Sequence, residues 1–391
     1  MADHLGVPPL KSLRFDSDKS RRLGYLPALD GLRALAIIAV MLFHLRTKSL
    51  FPGGGIGVDL FFVLSGFLIT TLLIQEWSRT GSISLRAFYE RRALRLLPAV
   101  ALFMAIYVAV NLAFNGHEFT GRQANDLLLR NVVLVATYGF NWLIALDGIP
   151  GRGLSHLWSL SVEEQFYLAW PIILLLALRA HVPAIAIMLL SALMGVVSAT
   201  LPHTIGGEWT RLYYGTDFRL QGLMLGSLVG QLYAVGIVNA DLTRSPLFRG
   251  LLVLAVLLLT LVILFGRNES VLFLGGHTLV AICSAVLVMG VLFARRNVFA
   301  SALSNPILVY IGKRSYALYL WHATISVWLR SFDSVPHFVL TIALSLLAAE
   351  ISYRLVESPA LALKSRLRER QRDASETDAS RTPGTNHGVA A

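Results

Sequence analysis

Charge is scarce in this chain. Only 15% of its 391 residues are Asp, Glu, Lys or Arg, against 55% that are hydrophobic. A soluble fold of that length could not cover its surface with so few ions, and the mean hydropathy of +0.64 points the same way. Cysteine is rarer still. The single Cys283 permits no internal disulfide, says nothing about redox compartment, and reads as a small apolar residue within a span. Nor does the first apolar run read as a cleavable leader: residues 1–26 are polar and basic, and the run comes too late and is too long, with no small-residue cleavage site behind it. That run is expected to remain in the mature chain. No internal repeat is visible, and no stretch of this sequence reads as a soluble domain. The net charge of +11 would suit a nucleic-acid partner, but its distribution along the chain argues against one.

Long apolar runs are what the chain has in abundance. About 20 residues cross the hydrocarbon core as a helix, and candidate spans centre on 28–46, 57–76, 98–115, 157–178, 182–200, 217–237, 250–266, 273–293, 307–329 and 336–355. Runs of this length are not barrel strands, so the expected fold class is all-α, a polytopic transmembrane helical bundle. One segment, "LLLRNVVLVATYGFNWLIALD" (127–147), is apolar but carries Arg130, Asn131, Asn141 and Asp147. If it does not cross, about three quarters of the 34 Lys and Arg fall on the cytoplasmic side; if it does, the bias vanishes. The expectation is therefore about ten crossings plus one non-crossing or re-entrant helix, with both termini cytoplasmic. Residues 1–26 form a basic N-terminal segment, 27–356 the membrane domain and 357–391 a basic, largely disordered tail.

Ionisable residues inside such spans are expensive, and they tend to face a cavity, a partner or a substrate path. At about 100° per residue, Asp30, Arg33, Ile37 and His44 of the first span share one face. Arg33 and His44 lie about 16 Å apart along the axis, Arg33 toward the cytoplasm and His44 toward the outside. The glycines of "FPGGGIGVDL" follow no strand, so they read as a tight outer turn that admits close backbone approach, not as a dinucleotide loop. Asp59, just beyond, either orients an imidazole or caps its helix. In "FYERRALRLLPA", Arg92 and Arg95 share a helical face at the inner mouth of the third span. They suit either a phosphorylated co-substrate or lipid phosphates. In "SHLWSLSVEEQFYLAWP", Ser159, Glu163, Tyr167 and Trp170 fall on one stripe, Glu164 points away, and His156 reads as a solvated loop residue. Ser315, Tyr319, His322 and Ser326 form another stripe. Asp217 and Arg219 read as a simple pair, and Gly222, Gly226 and Gly230 as a helix-packing seam.

Five of these strings, "LDGLRALAIIAVMLFH", "GVDLFFVLSGFLI", "FYERRALRLLPA", "HLWSLSVEEQFYLAWP" and "IGKRSYALYLWH", resemble in that order the acyltransferase 3 family of membrane acyltransferases. The resemblance covers roughly residues 25 to 356. It implies transfer of an acyl group, commonly acetyl, from cytoplasmic acyl-coenzyme A to a hydroxyl of a carbohydrate or small-molecule acceptor, with no metal. By that resemblance Arg33 and His44 match the paired first-helix residues, Arg92 and Arg95 the RxxR motif, and Glu163 the Glu of the WSLxxE motif. His44 is then expected as general base, with Glu163 or Asp59 orienting it, while Arg33, Arg92 and Arg95 hold the donor; a covalent acyl-histidine stays open. Some members carry a fused extracytoplasmic hydrolase-like domain. Its absence from this sequence implies direct transfer or a separate extracytoplasmic partner. The rival class, a secondary transporter using the buried ions as a relay, would lead one to expect matching halves, which the sequence does not show.

Overall fold

The computed structural model describes residues 14–15, 23–44, 51–114, 122–148, 153–266, 272–293, 298–332, 334–360 and 362. Among the described residues there is no strand. The helices are α1 (Pro27–His44), α2 (Gly57–Thr80), α3 (Leu85–Phe114), α4 (Arg122–Ala136), α5 (Phe140–Asp147), α6 (Trp158–Arg179), α7 (Ala184–Ile205), α8 (Trp209–Tyr214), α9 (Thr216–Ala234), α10 (Ala240–Arg244), α11 (Pro246–Phe265), α12 (His277–Val291), α13 (Val298–Leu303), α14 (Pro306–Lys313), α15 (Ser315–Trp328) and α16 (Ser334–Ser352). The expected tail disorder at 373–391 lies outside the described residues.

Among the described residues, seven helical stretches are long and apolar enough to cross a membrane: Pro27–His44, Gly54–Thr80, Leu85–Ala113, Ser155–Arg179, Ala184–Ile205, Pro246–Phe265 and Val335–Ala360. Length and hydropathy thus single out seven where ten were expected. The other three stretches are helical but broken or diluted by polar residues. The 307–329 run divides at Arg314 into α14 and α15, and the 273–293 run begins with a π-helical turn, Leu272–Gly276, before α12. The third, α9, buries Arg219 and Gln231. The ambiguous 127–147 segment is not one helix. It breaks where Tyr138 takes φ 58°, so the 15-residue α4 and 8-residue α5 are each too short to span.

Side chains on α7 (Leu189, Leu193, Val196) and α11 (Leu251, Leu254, Leu257, Leu261) stand exposed on apolar faces suited to lipid tails. The chain is an integral membrane protein. Facing inward, α1 and α2 contribute to both apolar clusters of the core. One cluster joins them to α3, α6 and α15, the other to α9, α11, α12 and α13. The tightest seam is α2 on α9. A Cβ on Gly226 would overlap the Val63 carbonyl, one on Gly66 would overlap the Leu223 carbonyl, and one on Gly230 would crowd Thr71. This is the packing role expected of the four-residue glycine spacing. The glycine turn before α2 shows the expected close backbone approach too, because Gly54 and Gly57 lie directly against the carbonyls of Ala39 and Ala36 of α1. Close approach at these seams holds the functional faces of α1 and α2 at fixed separation.

Candidate active site

The polar stripe of α1 faces inward, and it meets two different environments at its two ends. Near the N-terminus of α1, Arg33, Arg92 and Arg95 line one cavity of about 660 Å³, together with Ser65, Ser159, Glu163, Tyr167, Ser315 and Tyr319. A second, more open cavity adjoins it and shares Arg33, Ser65, Arg92, Arg95 and Tyr167, with Tyr25 and Asp30 at its rim. Local helix geometry explains the convergence. Arg92 and Arg95 are three apart on α3, Glu163 and Tyr167 are four apart on α6, and both pairs therefore project to one side.

The cations in this cavity are unequally matched. Arg33 lies 3.7 Å from Asp30, and Arg92 lies 3.6 Å from Glu164 with its guanidinium 3.6 Å above the Tyr167 ring. Among the described residues, Arg95 has no ion-pair partner. Glu163 accepts from the Ser65 hydroxyl at 3.0 Å and from Tyr167 at 3.1 Å. At the rim the Tyr25 hydroxyl donates to Asp30 at 2.8 Å. Lost hydration and that carboxylate push the phenol up to about 12. The arrangement is an electropositive recess whose planar forks suit phosphate oxygens.

The far end of α1 is built from imidazole rings. His44 Nδ1 lies 2.9 Å from the Val40 carbonyl and 3.3 Å from His322 Nε2. His322 Nδ1 lies 3.0 Å from the Leu318 carbonyl and 2.9 Å from that of Tyr319. Ser326 donates to the His44 carbonyl at 3.2 Å, and its hydroxyl lies 3.3 Å from His337 Nε2. Tyr319 stands between the two ends. It lines the arginine cavity, yet its ring packs 5.6 Å from His322 and 5.5 Å from His156, centroid to centroid. Its hydroxyl donates to the His156 carbonyl at 2.6 Å and receives Ser159 at 2.5 Å. Among the described residues no group of His, Cys, Asp or Glu is arranged to hold a metal ion.

The expected partners of His44 are elsewhere. Asp59 is fully committed on the opposite side of α2: its carboxylate lies 3.4 Å from Arg219 and 3.0 Å from His277 Nδ1, tying α2 to α9 and α12. Glu163 sits with the arginines, deeper along α6 than the level of His44, because its bonds run to Ser65 and Tyr167. Neither carboxylate orients His44. His156 is buried, not solvated, and its Nε2 lies 3.0 Å from the Leu320 carbonyl. Asp217 pairs with Arg211 at 2.6 Å, leaving Arg219 to Asp59. That carboxylate raises the Arg211 guanidinium above its ordinary value. Glu164 was expected to point away from the site but is buried against Arg92. The stripe periodicity of α15 could have paired His322 with His44. Nothing in the sequence points to His337.

The family described as an acyltransferase domain matches residues 26–354. The O-acetyltransferase OatA of Staphylococcus aureus strain NCTC 8325 / PS 47 is 35% identical over 352 residues, covering 86% of this chain and 57% of OatA. OatA of strain COL gives the same figures. The chain thus spans little more than half the length of these curated relatives, and no solved structure matches it. The match runs through both ends of the polar stripe, from before Arg33 to beyond His337, and the chain belongs to the acyltransferase 3 family.

Proposed function

We propose that this protein is a membrane O-acetyltransferase that takes an acyl group, acetyl in the first instance, from acyl-coenzyme A at the arginine end and delivers it to a hydroxyl at the histidine end. The observation that carries the reading is the cavity in which Arg33, Arg92 and Arg95 converge and which ends at Tyr319, whose ring touches the neighbour of His44. The OatA relatives support O-acetyl transfer as the reaction. In this reading the arginine end faces the cytoplasm, where acyl-coenzyme A is made and where the basic N-terminal residues favour both termini.

Arg92 and Arg95 hold the donor phosphates, and Arg33, about 16 Å from His44 along α1, neutralises charge on the way in. His44 takes the proton from the acceptor hydroxyl as that oxygen attacks the thioester carbonyl; the carbon–sulfur bond breaks, and His44 returns the proton to the departing thiolate. Glu163 keeps Tyr167 and Ser65 in place beneath the arginines. The acceptor is a hydroxyl of a carbohydrate or glycosylated compound, reached directly or through a separate extracytoplasmic partner.

The test is a free-thiol assay on protein purified in detergent, with acetyl-coenzyme A and candidate glycan acceptors. Thiol release that needs acceptor and vanishes in His44→Ala, with the variant still folded, is expected. An active His44→Ala removes the base. Absence of any thiol release, beside vesicle-dependent movement of the candidate acceptor, replaces transfer by transport.

A further inference from the structure

Resting on the reading of His44 as base, we propose that His322 is its positioning residue, a neutral imidazole in the place where a carboxylate was expected. The argument is one of donors and acceptors. Nδ1 of His322 faces two backbone carbonyls, at 3.0 and 2.9 Å, and carbonyl oxygens only accept, so that nitrogen carries the proton. In the neutral ring Nε2 must then be an acceptor. His44 Nδ1 lies 2.9 Å from the Val40 carbonyl and 3.3 Å from this same His322 Nε2. Both groups accept, so His44 Nδ1 donates, its hydrogen shared between them. The lone pair of His44 is thereby assigned to Nε2.

His322 is thus the tertiary half of a bifurcated bond that holds the His44 ring in one tautomer and one orientation. The Val40 contact alone belongs to the same helix and fixes the ring only against its own backbone. When His44 Nε2 takes the acceptor proton, Nδ1–H remains the donor, so His322 stays neutral and no second proton moves. Burial supports the assignment: His322 is 1% exposed, with Tyr319 and His156 packed about its ring. It therefore has little room to turn.

The decisive measurement is the nitrogen spectrum of protein carrying 15N-histidine, with the His44 signals identified by their loss in His44→Ala. A protonated Nδ1 and a bare-type Nε2 on His44 are expected. A His44 protonated at Nε2 overturns the proposal, whether or not any variant folds. Kinetically, His322→Phe keeps the bulk but removes the acceptor, and should lower kcat on the order of 10²-fold while the KM for acetyl-coenzyme A stays within about twofold. His322→Gln places an amide oxygen within reach of His44 Nδ1 and should recover most of the loss. Wild-type kcat in His322→Phe beside an inactive His44→Ala removes the positioning role alone. An active His44→Ala removes the base itself.

Discussion

Arg92 performs two tasks that a double substitution can separate. Its guanidinium is 3.6 Å from the Glu164 carboxylate and 3.6 Å above the Tyr167 ring, and the Glu164 side chain is only 7% exposed. Replacing Arg92 by Met keeps the apolar stem but strands that carboxylate in a low-dielectric setting. Breaking one side of a buried pair costs about 3–5 kcal/mol. Adding Glu164→Gln removes the stranded charge, and a buried pair replaced on both sides is often neutral in stability. Donor binding should not recover with it. A charge-assisted bond to a phosphate contributes about 1.5–3 kcal/mol, so affinity for acetyl-coenzyme A should fall about 10- to 150-fold in both the single and the double variant. Thermal unfolding in detergent reads the first effect and equilibrium binding the second. A double variant that regains stability and binds acetyl-coenzyme A as tightly as wild type would refute the donor contact, leaving Arg92 as a partner of Glu164 only.

The α2–α9 seam should be intolerant of side chains: Gly226→Val drives a branched Cβ into the Val63 carbonyl and should cost about 3 kcal/mol or more, whereas Gly250→Ala, with open space around it on α11, should gain up to about 1 kcal/mol. Equal unfolding temperatures for the two would contradict the seam. Tyr319→Phe deletes the hydroxyl that links Ser159 to the His156 carbonyl and should destabilise by about 1–3 kcal/mol, read by denaturant-dependent unfolding; an unchanged midpoint would mean the link holds nothing. Tyr25→Phe tests the rim. The Tyr25 phenol is raised from 10 to about 12, so its contribution is whole below pH 10 and is lost as pH rises through 12. The stability difference between wild type and Tyr25→Phe should therefore be flat from pH 7 to 9, and a gap already closing in that interval would speak against the Asp30 bond.

Helical periodicity made one-helix facts legible. That Arg92 and Arg95 project to one side and that Gly222, Gly226 and Gly230 form a seam both follow from a 3.6-residue repeat, and in the structure the two arginines line one cavity and the glycines meet α2. What periodicity cannot supply is the rotation of one helix against another. Asp59 lies on the face of α2 that looks to α9 and α12, so sharing one end of the helix pair with His44 in the sequence reading did not become contact. Glu163 and Glu164 show the same thing at one residue's separation, since Glu163 lines the arginine cavity while Glu164 meets Arg92 from another side of α6. The broken helices were hidden for another reason. Gly312 and Lys313 stand just before the break at Arg314, but the residue that holds Arg314 there, Glu350 of α16, lies 36 residues away.

A single electrostatic rule accounts for where these residues went. A buried cation in a low-dielectric bundle needs a counter-ion, and the arginines have taken the carboxylates: Asp30 by Arg33, Glu164 by Arg92, Asp59 by Arg219, Asp217 by Arg211 and Glu350 by Arg314. A neutral imidazole makes no such demand. His44, His156 and His322 are each met by backbone carbonyls, and His337 Nε2 lies 3.0 Å from the Ser326 carbonyl, so the histidine end can be satisfied without any acid. The division has a chemical consequence for the proposed reaction. Charge at the histidine end arises only while His44 holds the acceptor's proton. At the arginine end Arg95 has no ion-pair partner among the described residues, and that is where a polyanionic donor would be drawn.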